Sequence, residues 1–262
     1  MATVSLRRVF FSAVVVLTLA LAALFASMVL LMNVQPGFMG MSHFSEEHHR
    51  THDVTFSLLN ATVVAGMLAQ LRRPARNVAG QTMALIPFAA LLLAAALTNG
   101  WVLSPPWLIL GVTTVLATMF HPAGDPLRWF RGARVDPVMA ALVAAAATPL
   151  LAFAWTNVLL QRAGPSDHAL AGHYGYMAAF SFSVLAVSLV ASVRPEGWRL
   201  PAWVAGALPV ALGLASLVYP TSDSSLEPFW AIAAISWGVA FVAVAELGRR
   251  GGMRHALEAG GV

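Results

Sequence analysis

Residues 8–33 read RVFFSAVVVLTLALAALFASMVLLMN, an arginine followed by 25 residues without a single charge. A hydrocarbon core of about 30 Å is crossed by roughly 20 apolar residues in helical form. Backbone groups in that medium must bond within the segment, which a helix achieves. The preceding Arg7–Arg8 pair is suited to the start of a signal peptide. The apolar run, however, exceeds the roughly 7–15 residues of a signal-peptide core, so the segment reads as a retained helix. Seven further stretches pass the same test, at 52–71, 80–98, 105–121, 136–161, 172–193, 201–219 and 228–247. The expected fold class is therefore an all-α integral membrane protein with eight transmembrane helices.

Composition points the same way. Of 262 residues, 59% are hydrophobic and 10% charged, whereas a soluble domain carries about 25% charged residues. Cysteine is absent, which excludes disulfides, thiolate metal sites, iron–sulfur clusters and cysteine nucleophiles together. Every basic residue is arginine. With the N-terminus in the cytoplasm, thirteen arginines fall inside and only Arg50 and Arg162 outside, a positive-inside bias that alternates through all eight stretches. The net charge of +4 thus follows from topology and attraction to anionic headgroups, and no nucleic-acid partner is expected. The expected location is a bacterial inner membrane, with both termini cytoplasmic. Trp101, Trp107, Trp198, Trp203 and Trp230 lie near expected helix ends, where interfacial rings prefer to sit.

The second half of the chain echoes the first. His52, Pro74, Pro87 and Trp107 are spaced by 22, 13 and 20 residues, and His173, Pro195, Pro209 and Trp230 by 22, 14 and 21. This spacing predicts two tandem four-helix repeats, over residues 1–125 and 126–262. An even number of helices per unit gives both the same orientation, related by a pseudo-two-fold axis along the membrane normal. His52 and His173 would then lie at equal depth and face one another.

Ionisable residues are costly inside a bilayer and mark function when they occur there. Asp125, Asp136, Glu196, Glu246 and Glu258 all fall near the inner side. Asp136 before Pro137 is positioned as a helix cap, and Glu246 is spaced to pair with Arg249 or Arg250. Asn60, Gln70, Asn157, Ser181, Ser183 and Ser188 read as interhelical glue. Histidine is distributed differently, for six of eight fall on the outer side: His43, His48, His49, His52, His168 and His173. His48 and His52 are four apart, as are His173 and Met177, so each pair shares a helix face.

Imidazole ligates copper, zinc, iron and nickel, and a thioether adds preference for Cu(I) or a haem axial position. His52 and His173 alone would form a bis-histidine haem clamp. Joined by His48 and Met177, they would form a copper site. Glu46, Glu47 and Asp53 are available to orient the rings. Met28, Met32, Met39 and Met41 are spaced as an approach path for soft copper ions or as ordinary packing. His121, before Pro122 at an inner helix end, reads as a C-terminal cap. No hydrolase pattern surrounds "PSDH" at 165–168 or "SDSS" at 222–225.

These readings lead to a multi-pass membrane protein with an outer-face histidine site that binds haem or copper for redox chemistry or metal handling. Two alternatives stand beside it. One is a small-solute transporter using Pro87, Pro149, Pro209, Gly66, Gly111, Gly213 and Gly238 as hinges. The other is an accessory subunit held by partner membrane proteins or by further copies of itself.

Overall fold

The computed structural model describes residues 6–34, 49–98, 103–164 and 166–259. Within these residues the chain is helical and contains no strand. The helices are α1 (Leu6–Val34), α2 (Arg50–Gln70), α3 (Val78–Leu97), α4 (Pro105–Met119), α5 (Pro137–Arg162), α6 (Asp167–Leu170), α7 (His173–Val193), α8 (Arg199–Val218) and α9 (Pro228–Ala259). Each of the eight apolar stretches contains one long helix, and the one-turn α6 is an addition.

Proline sets several of these starts. Pro105 and Pro137 occupy the first turn of α4 and α5, where a missing N–H costs nothing. Asp136 caps α5 as its sequence suggests, accepting a hydrogen bond from the Met139 N–H at 2.9 Å. The same carboxylate pairs with the Arg194 guanidinium at 2.6 Å, tying the start of α5 to the end of α7.

Among the described residues, six helices are long and apolar enough to cross a membrane: α1, α3, α5, α7, α8 and the Pro228–Gly248 part of α9. They make the chain a helical, multi-pass membrane protein. Two stretches read as spans in the sequence fall short by this measure. The 21-residue α2 is diluted by His52, Asp53, Asn60 and Gln70, and α4 has only 15 residues.

Burial separates centre from rim: 67% of the apolar window of α3 and of α7 is buried, against 22% for α5 and α9. In lipid, close packing and hydrogen bonds hold helices together, so small residues lie where helices cross. A β-carbon added at Gly66 of α2 would lie 2.5 Å from the Gly80 carbonyl oxygen of α3, and one at Gly206 of α8 would lie 2.5 Å from the Gly238 carbonyl of α9. These glycines let the backbones of neighbouring helices approach closely.

Several interfacial expectations change. Trp107 is fully buried, in edge-to-face contact with Phe25 and Phe56, both at 5.6 Å between ring centroids. It is a core residue and no lipid anchor, because α4 turns that face toward α1 and α2. Trp203 and Trp230 are about half exposed, and Trp101 lies outside the described residues. Glu246 binds Arg199 of α8 at 2.8 Å and the Trp203 indole N–H at 3.0 Å. The side chains of Arg249 and Arg250 lie outside the described set.

The helices run alternately up and down, so the bundle has two chemically different ends. One gathers Arg7, Arg73, Arg76, Arg194 and Arg199, with its turns stitched by the Ala79 N–H donating to the Glu196 carbonyl at 3.0 Å. The other gathers the histidines.

Candidate metal centre

The histidine end is built from three segments. The first is the start of α2. His49 adopts helical dihedrals just ahead of Arg50, so His49 and His52, three residues apart, point to one side. The second is the α6–α7 corner. The Ser166 hydroxyl caps α6 by accepting from the Ala169 N–H at 3.1 Å. The chain then reverses at Gly172, whose φ of +75° lies in the left-handed region that glycine enters without strain. That reversal brings His168 and His173 to the same place. Gln161 of α5 fixes the corner, donating to the Ala169 carbonyl and accepting from the Gly175 N–H at 3.0 Å.

The third segment is the α8–α9 loop. Ser222 accepts from the Thr51 N–H at 3.2 Å, and the Ser225 hydroxyl shares a 2.7 Å hydrogen bond with that of Thr51. Ser224 takes a φ of +62°, uncommon for a residue other than glycine. Its hydroxyl donates to Asn157 Oδ1 at 2.9 Å, which holds the turn. The 222–225 stretch, chemically silent as sequence, is a clamp on the start of α2.

These segments bring together His49, His52, His168 and His173, with one ring nitrogen from each lying within 4.8 Å of the others. His49, His52 and His173 are buried. The Nδ1 atoms of His49 and His173 are 3.2 Å apart. Ring centroids lie 4.3 Å apart for His49–His168 and 5.0 Å for His52–His173. Four nitrogens bound tetrahedrally at 2.0–2.1 Å from an ion would be about 3.3–3.4 Å apart. The His49–His173 pair already has that spacing, and the widest pair would need to close by about 1.5 Å.

A carboxylate stands behind the group. Asp223 Oδ2 is 3.6 Å from His168 Nε2 and accepts from the Tyr174 hydroxyl at 3.3 Å. At 3.6 Å the Asp223 carboxylate lies just beyond hydrogen-bonding distance of the His168 ring, and a carboxylate that closes to hydrogen-bond an imidazole fixes its tautomer and raises the basicity of the other ring nitrogen. Below the histidines, the Thr55 hydroxyl donates to the His52 carbonyl at 2.9 Å and its oxygen lies 3.0 Å from the Met177 sulfur. Phe56, Tyr176 and Trp107 pack beneath this region, with the Phe56–Tyr176 centroids 4.9 Å apart.

Of the residues picked out by sequence, His52 and His173 are brought together across α2 and α7. Met177 lies one turn further along α7, engaged by Thr55. His48, His43, Glu46, Glu47, Met39 and Met41 lie outside the described residues. Asp53 lines a groove between α1 and α2, while Asp223 supplies the carboxylate beside the histidines. His49 and His168 belong to the outer histidine group recognised in the sequence but were not among its selected ligands.

The expected cap at His121 is also revised. Its Nδ1 accepts from the Ala123 N–H at 3.2 Å, so its Nε2 carries the proton and donates to Gln70 Oε1 at 3.1 Å. The ring links the end of α2 to the turn beyond α4 instead of binding the last α4 carbonyls. Burial, reinforced by the nearby Arg7 charge, lowers its pKa from 6.5 to about 4.

Comparison with protein-family models, curated proteins and solved structures finds no match for this chain.

Proposed function

We propose that the protein is a membrane metal-handling or redox protein that binds one first-row transition-metal ion through His49, His52, His168 and His173. The convergence of four ring nitrogens within 4.8 Å carries this reading. Copper ranks first, because Cu(II) is the tightest binder in the divalent series at a nitrogen site.

The arrangement favours a bare ion over haem. A bis-histidine haem needs a flat macrocycle between its axial rings, yet His52 and His173 are nearly stacked at 5.0 Å and 26°. Two more imidazoles fill the adjacent space. In this reading Asp223 orients His168, and Met177 forms part of the floor of the site.

The wider architecture we propose is eight spans in two four-helix units, residues 1–125 and 126–262, with α2 and α4 shielded by their neighbours. Pro87 and Pro209 occur inside the corresponding helices α3 and α8, which supports the repeat. The clustering of arginines at one end supports a cytoplasmic assignment for that end and for both termini.

The test is elemental analysis of detergent-purified full-length protein after incubation with copper, zinc or iron salts and removal of excess. The expected result is about one ion per chain, with copper displacing the others, and four-nitrogen hyperfine structure in the Cu(II) electron paramagnetic resonance spectrum. Protein that retains no metal under any of these conditions would overturn the reading.

A further inference from the structure

The adjacent arginines at the start of α1 have separate surroundings. Arg7 donates to the carbonyls of Met119, Phe120 and His121 at 3.4, 3.4 and 3.0 Å, closing the end of α4. Arg8 instead lines a cavity of about 600 Å³, together with Arg73, Arg76 and Ser12 over Phe11 and Pro74. Its wall combines the first turns of α1 with the turn between α2 and α3 and Pro122 beyond α4, so three arginines from two distant parts of the chain border one space.

Their counter-charge is sparse. Among the described residues no carboxylate forms an ion pair with Arg8 or Arg73. Arg76 reaches Glu196 only at 4.0 Å, with both side chains more than half exposed. Such a contact provides little compensation in water. A guanidinium presents a planar fork of donors that matches the oxygens of a phosphate. The volume lies within the roughly 300–1,000 Å³ range of small-molecule sites, so it suits a substituted phosphate better than a lone simple ion. On other faces of α1, Val9, Phe10 and Val16 are about half exposed, so the helix that carries Arg8 also presents apolar side chains outward.

We propose that this cavity is a binding site for a phosphate group, carried by an anionic lipid headgroup or by a soluble phosphate compound. The site is independent of the histidine group at the other end of the bundle.

The experiment is native mass spectrometry of the full chain in detergent, titrated separately with cardiolipin, phosphatidylglycerol, phosphatidylcholine, inorganic phosphate and pyrophosphate. The cavity variant is Arg8→Gln/Arg73→Gln/Arg76→Gln. The control, Arg128→Gln/Arg131→Gln/Arg134→Gln, removes equal charge from the same end away from the cavity. Binding of an anionic phosphate ligand should weaken roughly tenfold or more in the cavity variant and much less in the control, given the attraction each cation near a lipid surface supplies. Preference for cardiolipin or phosphatidylglycerol, without competition from phosphate or pyrophosphate, assigns a lipid headgroup. Binding of phosphate or pyrophosphate without lipid assigns the soluble source.

Equal losses in the two triple variants, or wild-type binding in the cavity variant, would overturn the site. If the cavity variant loses helical content by circular dichroism, Arg8→Gln and Arg73→Gln are measured singly. Unchanged binding in both would likewise overturn it.

Discussion

His121 and the four-histidine group use the same side chain at opposite ends of one bundle, to opposite effect. At the arginine end, both His121 ring nitrogens bind protein groups, Gln70 and the Ala123 N–H. That ring is fully employed as a structural link. At the other end, four rings from α2, α6 and α7 turn their nitrogens toward each other. Burial does not separate the two regions, since His121 is as buried as His52. What distinguishes the two regions is convergence.

The sharpest way to break this contrast is to remove one histidine set at a time. His52→Ala/His173→Ala should abolish stoichiometric metal retention, whereas His121→Ala should leave it near one ion per chain. Elemental analysis of both variants decides, and equal metal content in the two would erase the distinction. Next in size is Asp223→Asn, which keeps the shape but removes the carboxylate behind His168. Metal affinity should fall roughly 10- to 100-fold, as for other outer-shell partners, measured by competition with a calibrated chelator.

A smaller effect is expected from Gly172→Ala. A side chain in the left-handed region costs about 1–2 kcal/mol. If the corner relaxes to avoid that strain, His168 and His173 separate and affinity drops by roughly 5- to 30-fold, one tenfold step being about 1.4 kcal/mol. An unchanged affinity would show that the α6–α7 corner does not set the ligand spacing.

The smallest effect concerns the arginine end and acid. A histidine whose pKa is lowered in the folded state stabilises that state fully above its ordinary pKa and progressively less as pH falls toward the folded value. For His121 the window runs from 6.5 down to about 4. Thermal stability of the metal-free protein should therefore decline across that window, and His121→Gln should flatten part of the decline. A parallel profile in the variant would remove His121 as a source of acid sensitivity.

The sequence was most legible where physics acts locally. The uninterrupted apolar run of α1 and the proline-marked starts of α4 and α5 require no tertiary knowledge. Histidine enrichment at one end was visible through the alternation of arginines, and the matching offsets of His52 and His173 suggested that they would meet. Which histidines would converge was harder to read. Three- and four-residue spacings both place side chains on one helical face, so choosing His48 or His49 depends on where α2 begins. His168 joins the group only through the reversal at Gly172. Asp223 arrives through the folding of the α8–α9 loop over α2, which no local pattern reveals. Trp107 misled for a related reason, since an aromatic near a helix end suits either lipid or core until its neighbours are known.

The α8–α9 loop also bears on the order in which this protein is made. Ser222, Asp223 and Ser225 lie about 170 residues beyond the His49–His52 turn that they clamp or flank. A nascent chain that has inserted α2 and α7 holds all four imidazoles but has neither the clamp nor the carboxylate behind His168. Under the proposed metal-binding reading, tight capture of an ion would belong to the end of biogenesis, after α8 and α9 have joined α2 and α7, and a chain truncated before Ser222 would compete poorly for the ion.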